Sequence, residues 1–248
     1  MMKRTLVGAL VAALALIGTG CKSSSSTTLE KPSVTAVATD SGATLHLSWA
    51  AVEGATSYEI TAGSSVDTTT STSLDVSTPT ATIEVRSLNG SSKSDSSATI
   101  DCKVIETTVD VFGDLDTTHA NGFGFNDSGK AVPYRIVLLE MGKLDFYLSN
   151  NMLVSGSKVN QQTMKGNGLK NASGSFDSLK LADAPGTYAD SDLAITTSSS
   201  YFLTMSSDTA AWSTGRNYAK ASVVAIDSSK VTLRLGYQTI GGLRWLIE

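Results

Sequence analysis

From about Pro32 onward the chain alternates apolar and polar residues with a period of two, the pattern of half-buried strands. In ATLHLSWA, Leu45, Leu47 and Trp49 fall on one face and Thr44, His46 and Ser48 on the other. Past a turn at Val52-Glu53-Gly54-Ala55, Tyr58 and Ile60 alternate with Glu59 and Thr61, and Ile83 and Val85 with Glu84 and Arg86. Asn89-Gly90 is a hairpin signal. Ala98, Ile100, Cys102 and Val104 then share one face. Short strands at regular spacing predict a β-sandwich over residues 31–105.

Residues 106–248 repeat the β pattern. Predicted strands are TTVDVFG, GFGFN, PYRIVLLEM, KLDFYLS, SFDSLKLA, DLAITT, YFLTMS, NYAKASVVAI, KVTLRLGYQTI and LRWLIE. Turn signals separate them at Asn126-Asp127-Ser128-Gly129, Met141-Gly142-Lys143, Asp227-Ser228-Ser229 and Gly241-Gly242. Val231, Leu233, Leu235 and Tyr237 share a face, and no stretch keeps helical periodicity over three turns. The expectation is an all-β protein, with a second sandwich or jelly-roll-like domain over 106–248 and a small closed barrel as the alternative.

The start of the chain has another pattern. Lys3 and Arg4 precede a continuous apolar run, Leu6 to Ile17, then Gly18-Thr19-Gly20 and Cys21. That is the order of parts in a secretory signal, and the run is short for a membrane span, which needs roughly 20 apolar residues. Small residues directly before a cysteine resemble the lipobox of bacterial lipoproteins. The resemblance implies that residues 1–20 are removed, that the Cys21 thiol receives diacylglycerol, and that its new amino terminus is acylated. The implied partner is membrane lipid, with each buried CH2 contributing about 0.8 kcal/mol. Gly18 stands where that family usually has Leu, and Gly18-x-Gly20 also suits an ordinary signal peptidase, so plain secretion is the alternative. Lys22 to Thr28, KSSSSTT, within the expected tether 21–30, holds no apolar residue and suits a spacer between membrane and fold. Lys22 after the cysteine resembles lipoproteins forwarded to an outer membrane.

The segments KPSVTAVA, LHLSWAAVEGATSYEI and ATIEVRSLNGSSKS resemble strands A, B, C, F and G of a fibronectin type III domain, over about residues 30–105. Trp49 matches the core tryptophan of strand B and Tyr58 the aromatic of strand C, while Ile83 stands where strand F usually has tyrosine. The resemblance implies an immunoglobulin-like sandwich used as a spacer or binding module.

Composition narrows the classes. Nineteen basic and 23 acidic residues give a net charge of -4, so there is no basic excess for nucleic acid. There are two cysteines, and if Cys21 is lipidated, Cys102 has no partner, which excludes a disulfide framework and a CxxC metal site.

Tests for chemistry are mostly negative. Gly124 to Lys130 has the GxxxxGK spacing of a phosphate loop, but Ala131 replaces the Mg²⁺-binding hydroxyl and Pro133 follows, so NDSGK reads as a hairpin turn. No two glycines lie four apart, which excludes a GxSxG elbow. His46 and His119 fall in different predicted domains, and nothing near His119 reads as a nucleophile with an orienter. The groups Asp110, Asp114, Asp116 and Asp183, Asp190, Asp192 lack EF-hand spacing; no metal ligand and no cofactor is assigned.

Trp212, Tyr218 and Trp245 are the candidate ligand-binding residues, since exposed rings stack on sugars and anchor protein partners; Tyr237 shares its face with aliphatics and reads as core. The expectation is a non-catalytic, lipid-anchored envelope protein whose first sandwich spaces a C-terminal domain that binds polysaccharide or another envelope protein. The alternatives are an envelope glycoside hydrolase and an assembly part that pairs through edge strands.

Overall fold

The computed structural model describes residues 28–95, 97–113, 116, 118–137, 141–156, 167–189, 192–205 and 215–248. They form antiparallel sheets and short 3-10 turns, with no α-helix among them, so the protein is all-β as its alternation predicts.

The first sandwich uses β1 (Val34–Thr39), β2 (Thr44–Trp49), β3 (Ser57–Ala62), β4 (Ser65–Thr69), β5 (Ser73–Val76), β6 (Thr82–Asn89), β7 (Ser92–Lys93) and β8 (Ala98–Asp101). One sheet has the order β1-β2-β5; the other runs β4-β3-β6-β7, with β8 also pairing with β6. The predicted inward faces meet between them: Leu45, Leu47, Trp49, Tyr58, Ile60, Ile83, Val85 and Cys102 are one buried cluster. Burying each large aliphatic there contributes about 1.5–3 kcal/mol. Trp49 and Tyr58 pack edge to face at 5.2 Å, and the Tyr58 hydroxyl accepts the Val52 N–H at 2.9 Å. The hairpin at Asn89-Gly90 forms one residue later than its signal. Asn89 pairs with Ser92, so Gly90 and Ser91 make the turn and Gly90 takes φ +56°.

The second sandwich uses β9 (Val104–Phe112), β10 (Gly122–Phe125), β11 (Ala131–Tyr134), β12 (Phe146–Ser149), β13 (Met152–Ser155), β14 (Gly168–Ala172), β15 (Leu193–Ala194), β16 (Ser200–Met205), β17 (Asn217–Ile226) and β18 (Lys230–Gln238). Two five-stranded sheets, β11-β10-β12-β13-β15 and β14-β16-β17-β18-β9, face each other across a core that includes Phe123, Phe146, Leu153, Tyr201, Leu203, Leu233 and Leu235. They are two packed sheets, not a closed barrel. NDSGK is the β10–β11 turn: the Asn126 side-chain oxygen accepts the Ser128 and Lys130 N–H groups, and Gly129 takes φ +76°.

Several predicted strands are corrected. The one over 133–141 is β11 and stops at Tyr134; Pro133 is tolerated because β11 is an edge strand. The segment 175–182 is no strand: it turns through Phe176–Ser178 and lies across a sheet face instead of along a sheet edge. β13 and β14 are additional strands; β13 follows a tight turn in which Asn150 and Asn151 take φ +49° and +59°.

The last residues join the sandwiches. Leu243, Trp245 and Ile247 point into the first core, whereas Leu246 joins a cluster on the outer face of the second sandwich, with Phe202 and Tyr218. Arg244 N–H donates to the Gly42 carbonyl at 2.9 Å and Trp245 Nε1 to the Ala43 carbonyl at 2.9 Å. On the other side the Val104 N–H donates to the Ile247 carbonyl at 2.7 Å, and Gln238 Nε2 donates to the carbonyls of Cys102 and Trp245. Period-two alternation therefore divides this tail between two cores.

Candidate functional site

The residues proposed for binding do not converge. Cys21 and Trp212 lie outside the described residues. Tyr218 and Trp245 have no exposed surface, so neither presents a ring to a ligand; this corrects the expectation of an aromatic binding face there. Tyr218 sits on β17 beneath Tyr188, and burial raises both phenol pKa values. Tyr237 is partly buried and stacks on Phe125 with centroids 4.7 Å apart, its hydroxyl pushed up to about 12 by burial.

Both histidines are solvated. His46 Nδ1 lies 2.6 Å from Asp75 Oδ1 on an exposed face. His119 stacks on Phe112 at 4.4 Å and turns Nδ1 to Asp116 Oδ2 at 2.7 Å. Asp116 also accepts the backbone N–H groups of Thr118 and His119, the first being the largest cause of its lowered pKa. The Thr118 hydroxyl sits at the nitrogen already turned to Asp116, whereas a triad needs the nucleophile at the other nitrogen. Of the remaining acids, Lys230 and Thr232 hold Asp110 and Lys170 holds Asp183; Asp114 and Asp190 lie outside the described residues.

The outer face of the β14-β16-β17-β18-β9 sheet holds the most unusual groups. The chain after β14 crosses this face, and Phe176 inserts where Lys220 Nζ lies 4.3 Å and the Arg234 guanidinium 4.0 Å from its ring. Lys220, fully buried, donates to the Phe176 carbonyl at 2.9 Å and to Glu248; its burial lowers its pKa while Glu248 raises it. Arg234 reaches Glu106 at 2.9 Å and Asp177 at 2.7 Å. This network pins the crossing segment.

Beside the pinned segment runs a groove of about 550 Å³, between the end of β14 and residues 178–183. Lys170, Asn171 and Ser173 line one wall, and Lys180, Leu181 and Asp183 the other. Leu181 is 41% exposed, unusual for a leucine in this protein. Among the described residues the one ring in the lining, Phe202, is buried. Lys170 and Asp183 pair across the groove at 2.6 Å. Among the described residues Asp183 is the one carboxylate in its lining, so these residues supply no glycosidase-like pair of acids. No side-chain motif marked this groove; its walls come from segments that neither periodicity nor spacing connects.

No family model matches this chain, and no curated protein matches it.

Proposed function

We propose that the protein is a lipid-anchored, non-catalytic component of a bacterial envelope: a spacer sandwich holding a binding sandwich away from the membrane. The observation that carries this reading is the placement of the two ends of the first sandwich. The chain enters beside Leu29, which packs near Gly54 in the turn after β2, at the Val34–Trp49 end of the sheet. The second sandwich docks at the opposite end, where the tail bonds Gly42 and Ala43 after β1. β1 has six residues, so the ends are about 20 Å apart. A tether at Cys21 would hold the first sandwich near the membrane and the second beyond it.

The three-stranded sheet β1-β2-β5 against β4-β3-β6-β7, with Trp49 and Tyr58 turned inward, supports the fibronectin type III resemblance and thereby the spacer role. Polysaccharide or an envelope protein is the partner class for the second sandwich. The test is detergent-phase partition and intact mass of the mature protein. Wild type should enter the detergent phase with the added mass of acyl chains, and Cys21→Ser should do neither. Unchanged partition and mass in Cys21→Ser would refute lipidation.

A further inference from the structure

We infer that the groove between β14 and residues 178–183 binds an extended acidic peptide segment of a protein partner, by adding a short strand to the edge of the second sandwich. This deepens the binding role proposed above by naming the ligand class and the site.

The first support is the state of the edge. β14 pairs with β16 on one side only and ends its sheet. At Leu169 the other side is occupied: its N–H donates to the Ala189 carbonyl at 2.8 Å and its carbonyl accepts the Ala189 N–H at 3.1 Å. In an antiparallel ladder alternate residues face the same neighbour, so the N–H and C=O of Asn171 point outward as those of Leu169 do. Asn171 is exposed, and no hydrogen bond satisfies these groups among the described residues. The chain thus pairs with its own edge at Leu169 and leaves the next outward position open. An unpaired edge beside a groove is a template for β-strand addition.

The second support comes from the facing wall. Lys180 C=O accepts the Leu246 N–H at 2.9 Å and Ala182 N–H donates to the Arg244 carbonyl at 2.8 Å. Leu181, between them, turns its own backbone groups away from the tail while its side chain lines the groove. The network around Phe176 and Lys220 holds this wall in place, so little ordering is left for binding.

Charge and surface select the occupant. Lys170, Lys180 and Asp183 give the lining one net positive charge, and Lys180 has no ion-pair partner among the described residues. Exposed Leu181 offers an apolar contact beside that ammonium group. An apolar residue flanked by carboxylates complements both. Among the described residues of the lining a sugar would find no exposed ring on which to stack.

The test is selection of the full chain against a random peptide library, followed by titration of the enriched peptide, with an oligosaccharide panel in parallel. Enriched peptides should carry an apolar residue beside Asp or Glu. Their affinity should fall roughly tenfold or more in Lys180→Glu, which reverses the charge, and in Asn171→Pro, which removes the outward N–H and fixes the local φ. Methylating alternate amide nitrogens of the peptide should abolish binding without altering the protein. The inference is overturned if no peptide is enriched, or if both variants and the methylated peptide bind as before. Oligosaccharide binding lost in the same variants would also overturn it while leaving a binding role for the second sandwich. Failure of anchoring in the detergent assay would leave the groove result untouched.

Discussion

Replacing Trp245 by alanine tests whether the tail makes the two sandwiches one cooperative unit. Trp245 is fully buried in the first core, although its chain neighbours Arg244 and Leu246 serve the second sandwich. Truncating a buried tryptophan costs about 3–5 kcal/mol, the sum of lost burial and the cavity left behind. The Ala43 carbonyl also loses the indole donor at 2.9 Å, a loss of about 1 kcal/mol. Together these come to about 4–6 kcal/mol, and at about 2–4 °C per kcal/mol for a chain of this size the melting temperature should fall by roughly 8–24 °C. The shape of the transition is the sharper readout. With the tail released from Gly42 and Ala43, the sandwiches should melt separately, so calorimetry should turn one transition into two. Trp245→Phe keeps a ring but not the donor, and should lose about 1–2 kcal/mol with a single transition retained. A drop under about 3 °C for the alanine variant, or one unsplit transition at a much lower temperature, would refute the coupling.

Three further outcomes follow from the packing and hydrogen bonding of the fold. Gly129→Ala should cost about 1–3 kcal/mol in urea unfolding, because the position has φ +76° and a Cβ would lie 2.9 Å from the Tyr237 ring. Acid should destabilise the fold as the pH falls below about 4, the ordinary carboxylate value. Asp110 (bonded by Lys230), Asp177 (by Arg234) and Asp227 (by the Ser229 N–H) all have lowered folded pKa values. Their stabilisation is present above the unfolded carboxylate value and is lost as pH falls through the folded ones, so the urea midpoint should drop there and stay level near neutrality. The Cys102 thiol, pushed up to about 12 chiefly by burial, should not react with a disulfide reagent near neutral pH until the protein unfolds; rapid labelling of the native protein would contradict its burial.

Much of the fold was legible because alternation reports a buried face directly. β17 spans the predicted Asn217–Ile226, and Val231, Leu233 and Leu235 all enter the core. Elements whose signal is not alternation were missed. β13 depends on two asparagines in left-handed conformation, and β14 is short and bounded by Gly168 and Ala172, which carry little pattern. Residues 175–182 carry strand-forming residues, yet Phe176 is drawn beneath Lys220 and Arg234 onto a sheet face.

The binding site was less legible than the fold, for a related reason. Aromatic enrichment near the C-terminus identified residues with much surface to bury, but not whether water or the first sandwich would cover them. Trp245 shows the difference. LRWLIE alternates, yet Leu246 places an apolar side chain on the face that should be polar if one side met solvent. LRWLIE forms no strand, only an extended tail with isolated bridges at Trp245 and Ile247; apolar residues on both its faces call for two covers, and here the covers belong to different sandwiches. The groove beside β14 arises from the opposite situation. Its distinguishing groups are backbone N–H and C=O at Asn171, which every non-proline residue possesses, and only the sheet order reveals that they have no neighbour among the described residues. A recognition edge of this kind is written in topology, so side-chain motifs could not have announced it.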